Sequence, residues 1–144
     1  MKLSPEYRRL IARVALFLCP FVIVAVLVVP SCKDQKPQTS NIILPDSNLS
    51  YSRDIESLFT QTCLGSQCHS GSSAAKGLDL TPPSYSSLMN HVPRLVVAGA
   101  QNNSLLVQRL DGTIPPIMPS NQYPLTTNQI SGIKQWIKEG AKNN

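Results

Sequence analysis

The sequence predicts an all-α domain over residues 51–144, set behind a leader and a polar tether. Three observations carry that reading. Apolar residues recur at helical spacing near both ends of the domain, the segments between are too rich in Gly, Ser and Pro for regular elements, and no alternating run is long enough to build a sheet.

Residues 1–31 have the composition of a signal peptide. Lys2, Arg8, Arg9 and Arg13 come first, then the uncharged run Val14 to Val29, then Pro30-Ser31-Cys32. Val29-Pro30-Ser31-Cys32 resembles a lipoprotein cleavage box, in which Cys32 becomes the lipid-modified first residue of the mature chain. The competing reading is an uncleaved anchor, because Leu10 to Val29 supplies twenty residues interrupted only by Arg13. Either way the remainder is held at a membrane and faces outward if the basic flank stays inside. Residues 32–50 are polar, bracketed by Pro37 and Pro45, with one apolar patch at Ile42 to Leu44. They read as a tether with a reach of roughly 55 Å at about 3 Å per residue.

Within the domain, Ile55, Leu58, Phe59 and Thr62 fall on one helical stripe, with Asp54 and Glu56 near the positive end of the helix. A short helix is predicted from Ser84 to Met89 after Pro82-Pro83, and another from Asn103 to Leu110, closed by Asp111-Gly112. The last helix is the best defined. Thr126 and Gln129 form a capping box, Ile130, Ile133, Trp136 and Ile137 make the stripe, and the helix ends near Gly140, with Gly132 weakening it slightly.

The formal charge of +5 belongs mostly to the leader; from Cys32 onward nine basic and seven acidic side chains leave +2. No basic stripe with interleaved aromatics is present, so nucleic acid is not an expected partner.

The chemistry concentrates at Cys63, Cys68 and His69. Covalent attachment of a c-type haem needs two thiols for thioether bonds and a histidine beside the second thiol to ligate iron. Cys68-His69 supplies the second half of that requirement. Two residues usually separate the cysteines, whereas here Leu64-Gly65-Ser66-Gln67 requires a bulge, which Gly65 eases through its access to positive φ. Two other chemistries fit the same residues. One is a Cys63–Cys68 disulfide in an oxidising compartment, and the other is a zinc site using Cys63, Cys68, His69 and His91.

A sixth iron ligand would come from elsewhere in the chain. Met118 leads, because Pro115, Pro116 and Pro119 stiffen its loop; Met89 and His91 are the competitors. Packing over the core is the plain alternative for a loop methionine.

The helix into Cys63 and Cys68-His69, then GLDL at 77–80, NSLLVQRL at 103–110, MP at 118–119, LT at 125–126 and WIKEGA at 136–141, resembles the small cytochrome c domains of bacterial membrane-associated and secreted proteins. The resemblance spans essentially the entire folded part, and the spacing of the cysteines is its one clear departure. It implies a cytochrome c-like helical fold around one covalently bound haem c, with the first and last helices packed across each other. His69 corresponds to the attachment histidine and Met118 to the methionine of the MP pair. It also implies electron transfer rather than catalysis, since both axial positions of the iron are filled. The expected partners are membrane lipid, through Cys32, and redox proteins or a membrane electron-transfer complex. The expected place is the periplasm or the outer face of a bacterial membrane. The rivals are a structural or assembly lipoprotein whose Cys63–Cys68 pair is a disulfide, and a peroxidase, which would need an open sixth position and an acid–base cluster that the sequence does not offer.

Overall fold

A computed structural model describes residues 41–65, 67–120 and 123–144. The leader at 1–31, with Cys32, and the start of the tether lie outside the described residues. Within them the chain is all-α, with four α-helices and no β-sheet. A π-helical turn, Tyr51–Ile55, leads into α1, Glu56–Thr62. Two single 3₁₀ turns, Gly71–Ser73 and Ala75–Gly77, precede α2, Tyr85–Met89. A third, Gln101–Asn103, precedes α3, Leu105–Leu110, and α4 spans Thr127–Lys138.

The first and last helices start for local reasons. Ser50 opens the first, its hydroxyl accepting from Arg53 N at 3.3 Å while its own N–H donates to Asp54 Oδ2 at 2.8 Å. On α4 the predicted capping box is present: Gln129 N donates to Thr126 Oγ1 at 3.3 Å, and Thr126 N donates to Gln129 Oε1 at 2.9 Å.

The core is the meeting of these stripes. Ile55, Leu58 and Phe59 on the first helix, Leu88 on α2, Val107 and Leu110 on α3, and Ile133, Trp136 and Ile137 on α4 are all buried. Tyr51 joins three of the elements: its ring lies 5.4 Å from Trp136 and edge-on to Tyr85 at 5.0 Å. The Tyr51 hydroxyl meets Ser84 Oγ at 2.8 Å, and Ser84 donates from both Oγ and backbone N to Glu56 Oε1, at 2.9 and 2.6 Å. Burial leaves the Tyr51 phenol pushed up to about 12.

The folded part begins earlier than Tyr51. Leu44 and Leu49 are only 2% exposed, so the last part of the segment expected to be tether belongs to the core. Leu44 N donates to Asn128 Oδ1 at 2.8 Å, and Asn128 Nδ2 returns a bond to Leu44 O at 3.1 Å. Gln129 Nε2 donates to Ile42 O at 3.0 Å. Further along, Asn48 N and Leu49 N donate to the two carboxylate oxygens of Glu139, at 2.9 and 3.0 Å. Residues 42–49 thus form a strap over α4. Its anchors are side chains of α4 and of Glu139, which caps that helix, bonded to strap backbone; a segment without secondary structure of its own satisfies its polar groups this way.

Candidate functional site

α1 ends where the chemistry begins. Cys63 caps the helix, its N–H bonded to Phe59 O at 2.8 Å, and the chain then folds back so that His69 N donates to Cys63 O at 3.1 Å. Cys68 N donates to Gly65 O at 3.0 Å. The wide cysteine spacing is therefore taken up in a closed loop, with a positive φ of 66° at Gln67. Ala75 N donates to Cys68 O at 2.7 Å, fastening the next 3₁₀ turns to the motif.

His69 is oriented by the stretch that follows. Leu80 N donates to His69 O at 2.9 Å, and the His69 ring Nδ1 lies 3.2 Å from Leu78 O. A carbonyl oxygen can only accept, so this bond requires the proton on Nδ1 and, in the neutral ring, leaves a lone pair on Nε2. That is the tautomer of a histidine that ligates metal through Nε2 while donating its other ring N–H to a backbone carbonyl. Leu78 and Leu80 are buried, which fixes the carbonyl between them and the ring. Asp79, pointing outward, accepts from Gly71 N at 3.1 Å and Thr81 N at 2.9 Å. The Thr81 side chain first, and then these backbone bonds, hold its carboxyl below the usual range.

Both cysteines are half-buried thiols. Burial pushes the Cys63 thiol up to about 11, against the lowering effect of the Thr62 hydroxyl 3.5 Å away, and the neighbouring Cys68 adds to the rise. Cys63 is thus protonated at neutral pH.

Met118 lies in the loop after α3 and packs half-buried against the core, as do Cys63, Leu64, Leu105 and Leu106. Its N–H donates to Arg109 O at 2.9 Å. Met89, on α2, also packs half-buried on the core. His91 is committed elsewhere: Nδ1 lies 3.2 Å from Pro93 O and Nε2 3.2 Å from Lys76 O, so both ring nitrogens face carbonyl oxygens. The zinc alternative needs Cys63, Cys68, His69 and His91 to converge, and among the described residues no three His, Cys, Asp or Glu side chains are grouped to hold a metal ion.

The residues present fit a c-type haem in their chemistry. Two thiols flank a loop closed onto His69, and they, with the Nε2 of that imidazole, would hold such a group. The Leu78 carbonyl is an addition that the motif does not announce, since a backbone oxygen has no sequence signature. No family profile, curated protein or solved structure matches the chain.

Proposed function

We propose that this chain is a one-electron carrier, or the electron-transfer subunit of a membrane complex, built on a cytochrome c-like fold with one covalently attached haem c at the outer side of a bacterial membrane. The observation that best supports this is the His69 ring, whose Nδ1–H is taken by Leu78 O beside the cysteine pair. In this reading Cys63 and Cys68 would hold the haem through thioether bonds, and His69 Nε2 and Met118 Sγ would ligate its iron. The haem supplies reversible one-electron iron chemistry. The chain's own residues would hold it, and the Leu78 carbonyl would orient the histidine ring. With iron ligated by both His69 and Met118, the group would serve electron transfer rather than substrate turnover.

Cys32 is the proposed lipid attachment point. Ten steps along the chain separate it from the strap at Ile42, a reach of no more than about 36 Å. The domain would therefore meet its redox partners close to the membrane surface.

The test is expression alongside haem-attachment machinery, followed by denaturation, acid extraction and peptide mapping. Haem retained as an adduct on Cys68 and Cys63, with an absorption spectrum that changes reversibly on reduction, is the expected result. Free thiols or a Cys63–Cys68 disulfide, with no adduct, would reject the haem reading and favour the structural lipoprotein. Intact mass of the membrane form should show loss of residues 1–31 and added acyl chains on Cys32.

A further inference from the structure

The loop that carries Met118 is poor in donors of its own. Pro115, Pro116 and Pro119 have no N–H, so a loop of this composition can be fastened only by the few remaining amides or by donors brought from outside. Arg109 answers both needs. Its carbonyl, one of the orphan acceptors in the last turn of α3, takes the Met118 N–H at 2.9 Å. Its guanidinium reaches across the loop and donates to Pro115 O. Next to it, Ile114 N donates to Gln108 O at 2.9 Å, and Asp111, which binds Thr113 Oγ1 at 2.7 Å, pairs with Lys134 on α4 at 3.1 Å. These neighbours fix the beginning of the loop. Among the described residues beyond Ile114, the Met118 amide and the Pro115 carbonyl are both bonded to Arg109 on α3.

From this we infer that Arg109 is the positioning residue of the sixth ligand, clasping the loop at Pro115 and Met118 so that the Met118 thioether stays on iron. This rests on the proposed haem ligation and deepens it by assigning the residue that sets how often the methionine lets go. The backbone half of the clasp survives any substitution. The side-chain half can be removed alone, and Met118 itself is left untouched. Losing a charge-assisted hydrogen bond at a partly exposed site raises the population of the methionine-off state by about tenfold.

The experiment uses the haem-loaded full chain, with Arg109→Gln and Arg109→Lys as variants. Two quantities are read on ferric protein: the near-infrared charge-transfer band of iron–thioether bonding, and the apparent affinity for added imidazole, which binds only where methionine has left. Far-ultraviolet circular dichroism and the reduced haem spectrum verify that each variant is folded and keeps His69 ligation. The expected result is a band in the wild-type protein and about a tenfold gain in imidazole affinity in Arg109→Gln. Arg109→Lys, which restores a donor to Pro115 O, should reverse most of that gain. A purely structural role would lower global stability without separating the two variants in imidazole affinity. If the band is present in wild type and Arg109→Gln binds imidazole like wild type, the clasp is wrong while thioether ligation of the iron stands. If wild type has no band, the ligand assignment fails and takes the clasp with it.

Discussion

Leu44 lies so close to Gly132 that a Cβ placed on that glycine would come within 2.6 Å of the Leu44 Cβ and 2.5 Å of its Cδ1. The glycine that looked in the sequence like a mild helix weakness is the floor on which the strap rests. Helix propensity alone says that alanine here should stabilise α4 by about 1 kcal/mol. Overpacking says the opposite, and it dominates, because the colliding atoms include the Leu44 Cβ, which cannot move without shifting the strap backbone held by Asn128. Gly132→Ala should destabilise the domain by about 1–3 kcal/mol. Chemical denaturation reads it, and a variant as stable as wild type would show that the strap yields freely.

The half-buried Cys63 thiol, whose charged form desolvation disfavours, gives a second expectation, for the haem-free chain. With its pKa pushed up to about 11, Cys63 is almost entirely protonated at pH 8. The greater nucleophilicity of a more basic thiolate recovers only part of the loss. Alkylation of Cys63 by iodoacetamide should therefore be on the order of tenfold slower in the folded chain than in urea. Mass mapping of the Cys63 peptide over time measures this directly, and equal rates under the two conditions would contradict the burial of the thiol.

Acid should loosen the fold. Hydrogen bonds hold four carboxyls below their ordinary values: Asp54 through Arg53, Asp79 through Thr81, Asp111 through Thr113, and Glu139 through Gln135 and the strap amides of Asn48 and Leu49. A folded-state pKa below the unfolded one contributes stability that is fully present above the unfolded value and is lost as pH falls through the folded value. Urea midpoints should hold steady down to about pH 5 and drop below about pH 4, where unfolded carboxyls begin to take protons. Glu139→Gln should lower the midpoint at pH 7 and flatten the acid limb, since one of the four groups no longer titrates. A Glu139→Gln acid limb as steep as wild type would remove Glu139 from this account.

The four helices were legible in the sequence because each combines an apolar stripe with a local start or stop signal, as in Thr126 with Gln129 or Asp111-Gly112. Boundaries moved by one or two residues at α2, α3 and α4. The strap was not legible. Ile42, Leu44, Asn48 and Leu49 have no period of their own, and their partners Asn128, Gln129 and Glu139 lie more than eighty positions away. The same limit applies at the candidate site. Adjacency marks Cys68 and His69, and prolines mark the Met118 loop, but Leu78 acts through a carbonyl and Arg109 through a contact that exists only once the loop has folded.

The remaining prediction concerns Met118 and follows from what a thioether does to iron. Met118 packs half-buried against the core and is held by its own amide to α3, while both ring nitrogens of His91 are turned to backbone carbonyls. Met89 remains the other thioether, but it stands on α2, where helix geometry fixes its direction and core packing explains it. A neutral thioether favours ferrous iron more than imidazole does, so Met118→His should keep a six-coordinate spectrum and lower the potential. The expected fall exceeds about 100 mV, a modest part of the roughly 0.8 V that axial ligands command. Met118→Ala should leave the iron open, so that the reduced protein binds carbon monoxide readily where wild type resists it. The near-infrared band of the oxidised protein separates the candidates. A band that is present in wild type and persists in Met118→Ala would transfer the role to Met89. A band absent from wild type would mean that iron bears no thioether, and His91 would have to give up a carbonyl partner to reach it.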